Sequence, residues 1–207
     1  MKNTSEIPWE TIYKFALSCG QIHEPKAFTV QVLKDLPNLC GFDRATVYYY
    51  DASGRICDQY LTDNDTHWSA LYLEYYASYQ HGQYGHWQRL LEDPSKPVVN
   101  LRDWMNEPPN EFITQFIRPR NLRYSLGFCL FDLNGVIRSL FCLDRKTDDN
   151  FSNQEVTALS LAVPLLNNLF KNLYFNPVNR GSSEQICWET ACLTPRENEV
   201  ANLLCQG

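Results

Sequence analysis

Two stretches of this chain carry the same pattern, and that pattern limits the fold more than anything else in it. Ala45–Asp51 is rich in β-branched and aromatic residues (Thr46-Val47-Tyr48-Tyr49-Tyr50), Asp51-Ala52-Ser53-Gly54 is a turn, and Arg55–Leu61 reads as the returning strand. Tyr124–Phe131 alternates in the same way, Asp132-Leu133-Asn134-Gly135 turns, and Val136–Arg145 returns. Strands joined by so short a loop pair antiparallel, so the chain contains two hairpins.

Helical periodicity fills the space around them. Trp9, Ile12, Tyr13, Ala16 and Leu17 recur at helical spacing, with Pro8 suited to a first turn. Phe28, Val32 and Leu36 mark a second helix after Pro25, closed by Pro37. Residues 66–80 form a third, with Asp65 as its cap and an aromatic stripe of Trp68, Leu71, Tyr72, Tyr75, Tyr76 and Tyr79. From His81 to Pro97 the chain is irregular, and a short strand follows at Val98–Leu101. Phe112 and Phe116 stand one helical turn apart before Pro119 stops that helix. A long helix then runs from Ser152 to about Phe175. Ser152 and Glu155 make its capping box, Pro164 should kink it, and it is apolar nearly all round (Val156, Leu159, Leu161, Leu165, Leu166, Leu169), so it needs cover on more than one side.

Residues 1–178 therefore read as one domain and 179–192 as a linker. Residues 193–207 read as a separate, well-specified helix: Thr194 caps it, Pro195 takes the first helical position, Glu197 completes a capping box, and Gly207 is suited to end it. Nothing follows for its apolar face (Val200, Leu203, Leu204) to pack against, so the sequence reads as cut inside a second domain.

Composition removes several function classes. The net charge is −6, and residues 56–115 hold nine acids against three bases (Arg89, Lys96, Arg102), which accounts for the whole imbalance. Nucleic acid is bound through cationic groups, so this central region is a poor candidate for touching it. No apolar run approaches the ~20 residues of a membrane span, and the first residues lack the apolar core of a signal peptide, so a cytoplasmic protein with no membrane partner is expected. The eight cysteines are scattered, without CxxC spacing, and read as free structural thiols. His67, His81 and His86 fix no metal geometry, so neither metal nor cofactor is expected. Nucleophile elbows, phosphate loops and paired-carboxylate motifs are missing, so no catalytic residue is assigned and an enzyme is not expected.

The segment Leu193-Thr194-Pro195-Arg196-Glu197-Asn198-Glu199-Val200, with Leu203, Leu204 and Gly207 beyond it, closely resembles the opening of LuxR-type helix-turn-helix domains. Residues 8–175 resemble the GAF-like sensors that precede such domains. Phe116-Ile117-Arg118-Pro119, Tyr124-Ser125-Leu126-Gly127, Gly135, Leu143-Asp144-Arg145 and Phe151-Ser152 with Glu155 carry that resemblance, together with the order α-α-β-β-α-β-α-β-β-α. It implies an α+β fold: a GAF-like antiparallel sheet with helices on both faces, then a linker and the first helix of a LuxR-type helix-turn-helix domain. It also implies a homodimer through the terminal helices, and DNA contact only through the remainder of that domain, which the sequence does not contain.

The resemblance places a small-molecule pocket on one face of the sheet. Aromatics with polar tips suit such a site, and the candidate ligand-binding residues are Tyr48, Tyr50, Trp68, Tyr72, Tyr76, Tyr79, His81, Trp87, Trp104 and Phe116. The competing reading of that stripe is plain core. Trp68 and Tyr72 match the Trp and Tyr spacing of acyl-homoserine-lactone receptors, but the Asp position falls on His81, so the acceptor for the lactone's amide proton is missing. Arg118, Arg120 and Arg123 could hold an anionic ligand group but read first as a solvated edge. Two alternatives to a ligand-responsive regulator remain: an interaction module with a vestigial pocket, and a thiol-based GAF-like reductase using Cys57, Cys129 and Cys142.

Overall fold

The computed structural model describes residues 7–63, 65–77 and 99–174. The chain divides into two compact units, Met1–Phe175 and Asn176–Gly207. The second unit lies outside the described residues, and with it the expectations for the linker at 179–192 and for the helix of Thr194, Pro195, Arg196 and Glu197.

The first unit is an α+β structure on a five-stranded sheet: β1 Arg44–Tyr50, β2 Ile56–Leu61, β3 Val99–Asp103, β4 Tyr124–Phe131 and β5 Ile137–Arg145. The strand order is β2-β1-β5-β4-β3, and every neighbour is antiparallel. Both expected hairpins form, and they are built alike. In the first, Asp51 Oδ1 accepts from the backbone N–H groups of Ser53 (2.8 Å) and Arg55 (3.0 Å), and Gly54 takes φ +75°. In the second, Asp132 Oδ1 accepts from Asn134 (2.9 Å) and Val136 (3.0 Å), and Gly135 takes φ +74°. An aspartate that ties down its own turn and a glycine free to go left-handed make each reversal local. Beside each turn the register shifts, at Tyr49/Tyr50 and at Leu130/Phe131, as expected where a left-handed residue adds a bulge.

Strand alternation divides the inward side chains between two faces. On the first face stand Ala45, Val47, Leu126, Phe128, Leu130, Phe141 and Leu143, all buried, with Phe128 and Phe141 stacked at 4.5 Å. Three helices cover it: α1 (Trp9–Gly20), α2 (Pro25–Asp35) and α4 (Asn153–Asn172). They bring Ile12, Phe15, Phe28, Val32, Leu159, Ala162, Leu166 and Phe170 to the same core.

α4 begins where the sequence predicts. Ser152 Oγ accepts from the Glu155 N–H at 3.2 Å, and Glu155 Oε2 accepts from the Ser152 N–H at 2.7 Å. Glu155 also takes the Arg145 guanidinium at 2.5 Å, and Arg145 stacks on Phe151 at 4.1 Å. Leu143-Asp144-Arg145 thus sends Leu143 into the first-face core, Asp144 to the opposite face, and Arg145 to the helix cap.

Three local expectations are corrected. Asp65 does not cap the third helix, because its carboxylate accepts from Arg44 Nη1 at 3.0 Å instead. Pro119 does not stop its helix; it turns it into the 3-10 segment Arg118–Arg120, which ends at Asn121 in the left-handed conformation (φ 55°). α4, which contains Pro164, is covered along one stripe rather than on more than one side, leaving Leu165 44% exposed.

Candidate functional site

The second face carries Thr46, Tyr48 and Tyr50 from β1, Ser125 and Cys129 from β4, and Leu140, Cys142 and Asp144 from β5. Two helical segments cover it, and both adopt the rare π form. α3 (Thr66–Leu71) continues as a π-helix over Tyr72–Tyr76, and a second π-helix spans Ile113–Ile117. The wide turn shows directly in the bonds from Ala77 N–H to Tyr72 O (2.7 Å) and from Arg118 N–H to Ile113 O, each spanning five residues. Tyr72 and Tyr76 are both buried while Tyr75 is 40% exposed, and Phe112 stacks on Phe116 at 5.0 Å. Phe116 is the hub, with ring centroids 5.7 Å from Tyr72, 5.2 Å from Tyr76 and 5.8 Å from Trp68.

Between this cover and the sheet lies a cavity of about 40 Å³. Tyr48, Tyr72, Trp104, Phe112 and Phe116 give it an aromatic wall; Arg120, Ser125 and Asp144 give it a charged floor. A cavity this size holds roughly three waters. The floor is wired. Trp104 Nε1 donates to Ser125 Oγ at 2.6 Å, and Ser125 Oγ donates to Asp144 Oδ1 at 2.5 Å. Asp144 Oδ2 stands between two guanidinium groups, 3.7 Å from Arg44 Nε and 4.0 Å from Arg120 Nη2. Neither separation is a hydrogen bond. Nε of both arginines is buried without a hydrogen-bond partner.

Burial dominates the electrostatics here. It pushes the Asp144 carboxyl above its ordinary value, against the opposing pull of Arg120, the Ser125 hydrogen bond and Arg44. It pushes Arg120 below its usual value, and the Tyr48 hydroxyl well above its own. A charged pair out of water is costly unless its hydrogen bonds are complete, and here they are not.

Of the residues singled out from the sequence, Tyr48, Tyr72, Trp104 and Phe116 stand on the cavity wall. Tyr50, Trp68 and Tyr76 belong to the same aromatic cluster without lining the cavity. Tyr79, His81 and Trp87 fall outside the described residues. The three-arginine cluster comes apart: Arg118 is exposed, Arg123 pairs with Asp148 at 2.6 Å, and Arg120 has its side chain only 8% exposed, so it is no solvated edge. Sequence reasoning missed Ser125 and Asp144 as site residues. Asp144 had a signal, being a charge at the same strand parity as Leu140 and Cys142.

Among the described residues no group of three or more His, Cys, Asp or Glu side chains is placed to hold a metal, and no helix is long and apolar enough to cross a membrane. Cys129, buried, and Cys142, half-buried, lie on adjacent strands with thiols raised by desolvation, whereas Cys57 is exposed on the edge strand β2.

No protein-family model matches the sequence, and no curated protein is similar to it in sequence. The structure is similar to the N-acylhomoserine-lactone-dependent LuxR-family transcription factor CepR2 of Burkholderia cenocepacia, with a TM-score of 0.54 at 13% identity over 78% of this chain and 92% of that one. It is similar also to the phycoerythrobilin-bound GAF domain of a cyanobacterial phytochrome, with a TM-score of 0.57 at 13% identity over 82% of this chain and 97% of that one. At that identity the likeness shows the fold, which is GAF-like, as the sequence resemblance implies.

Proposed function

We propose that the described domain is the signal-sensing half of a LuxR-type transcriptional regulator of the bacterial cytoplasm. It takes a small ligand into the aromatic face of its sheet and passes the result, through a homodimer, to a DNA-binding domain that begins at Leu193. The observation that carries this reading is the cavity over Asp144 and Arg120. An aromatic wall above buried charged groups that do not satisfy one another suits a site awaiting a polar-headed ligand. The structural similarity to a LuxR-family regulator and to a bilin-carrying GAF domain supports a sensing role.

The dimer has its own support. Trp9, Tyr13 and Leu17 are 58%, 63% and 51% exposed at successive turns of α1, and Leu165 of α4 is 44% exposed. Single exposed apolar residues need no explanation, but a stripe of them along a helix suits an interface. Ligand binding would then bias the dimer or the segment 179–192 and reposition two DNA-binding domains over paired half-sites. No catalysis is assigned. A nucleophilic thiol needs a lowered pKa, and burial moves Cys129 and Cys142 the other way.

A second reading, an interaction module with a vestigial pocket, draws on the cavity's volume of about 40 Å³, far below the ~300 Å³ or more of most ligand sites. Native mass spectrometry of freshly purified full-length protein separates the two. The sensor reading expects a dimer carrying a small molecule that leaves on denaturation. A dimer with nothing bound supports the interaction module, and a bare monomer overturns both.

A further inference from the structure

Arg120 poses the clearest unsolved problem in the molecule. Its side chain is more than nine-tenths buried, it lies over the Phe116 ring at 4.3 Å, and it lines the cavity. Its Nε has no hydrogen-bond partner, and the Asp144 oxygen that pairs with it stands 4.0 Å away. Arg44 is better served, since Nη1 reaches Asp65 at 3.0 Å and Asp63 at 3.5 Å, outside the cavity. Among the described residues no second carboxylate stands within 4.0 Å of Arg120, and Asp65 acts on it only from further off. Asp144 is spoken for as well: one oxygen accepts from Ser125, and the other is shared between the two arginines. What this cavity lacks is acceptors facing Arg120.

We propose that the cavity binds a small monocarboxylate, whose oxygens accept from the Arg120 guanidinium and whose apolar end lies against Tyr48, Tyr72 and Phe116; this rests on the reading of the domain as a ligand sensor. A carboxylate presents two coplanar acceptors matched to the guanidinium fork, which a neutral carbonyl does not. The charge balance allows it. Arg44 and Arg120 are buried against the single buried carboxylate of Asp144, while Asp63 and Asp65 are 36% and 29% exposed and screened by solvent. The volume sets the size. Room for roughly three waters fits acetate or propionate with nothing moved, and a longer tail requires Tyr72 and Phe116 to part.

The test is a titration of the ¹⁵N-labelled full-length chain with propionate and with propionamide, its neutral counterpart. The readout is the indole N–H resonance of Trp104, assigned through Trp104→Phe. Propionate is expected to shift it saturably, and propionamide to bind roughly tenfold or more weakly, the size of one charge-assisted hydrogen bond. Arg120→Gln should lower propionate binding to the level of the amide. Equal binding of the two compounds, no saturable shift with propionate, or undiminished binding by Arg120→Gln would each overturn the proposal. The comparison of propionate with propionamide needs no variant, so it decides even if Arg120→Gln fails to fold. A co-purified molecule that is not a carboxylate, with no response to propionate, would end this inference and leave the sensor reading intact. A bare monomer in the mass spectrum would end the sensor reading itself.

Discussion

The two faces of the sheet share the same five strands and are built to different rules. On the helix-covered face the strands present aliphatic residues and Phe to α1, α2 and α4, and the core is continuous from Ile12 to Phe170. On the other face the packing is aromatic, two of the covering segments are π-helices, and Arg44, Arg120 and Asp144 are buried among them. Arg44 Nε, Arg120 Nε, Ser69 Oγ and Asn100 Nδ2 on that side are buried without hydrogen-bond partners, against Ser139 Oγ on the first face. Incomplete hydrogen bonding and π turns both cost stability and recur at functional sites. The difference teaches a division of labour: one face carries the continuous apolar core, and the other carries most of the buried polar groups that the proposed ligand would meet.

The largest effect should come from emptying the first face. Phe128→Ala, at a ring 2% exposed and stacked on Phe141, is expected to cost about 4–5 kcal/mol in urea denaturation, the upper part of the range for such a truncation. Phe116→Ala on the second face should fall at or below about 3 kcal/mol, because its space joins a polar-floored cavity that water can enter and fill. Equal costs would erase the distinction between the faces. Ser152→Ala, which removes the cap of α4 and so loosens the first face from one end, should cost about 1 kcal/mol.

Asp144→Asn should reverse the sign. The folded state raises the Asp144 pKa, so the native protein holds that proton more tightly than the unfolded chain does. The group's contribution is therefore most favourable at low pH and is lost as pH rises from the unfolded carboxylate's ~3.9 through the raised folded value. Asparagine keeps an acceptor for Ser125 and carries no charge, so at neutral pH it should stabilise by up to ~1 kcal/mol. That advantage should vanish near pH 3. A destabilised Asp144→Asn protein at pH 7 would mean that the ion pairs outweigh their burial and that this face holds no strain there. Tyr13→Glu on exposed α1 should change monomer stability by less than ~0.5 kcal/mol while splitting the proposed dimer in analytical ultracentrifugation.

How much of this was legible follows the same division. The hairpins and the capping box at Ser152 could be read directly, because each is set by local chemistry: an Asp and a Gly at each turn, and a Ser and a Glu three apart. The aromatic stripe could be seen, but not its π geometry, since the periodicity of Tyr72 and Tyr76 fits an α-helix equally well. Arg120 was hidden for a tertiary reason. In sequence it sits between Arg118 and Arg123 and looks solvated, and only the 3-10 turn at Pro119 carries it inward under Phe116. The Trp104–Ser125–Asp144 relay joins three separate strand regions, which no local pattern reports.

Hydrogen exchange of the full-length protein, read segment by segment, tests the central claim most directly. If the second face is the strained one, amides of 66–76 and 111–120 open well before those of β4, β5 and 158–170, because their cover is bound by fewer satisfied groups. Protection of the two π-helical segments equal to that of α4 would contradict the account, since both faces would then serve the fold alike.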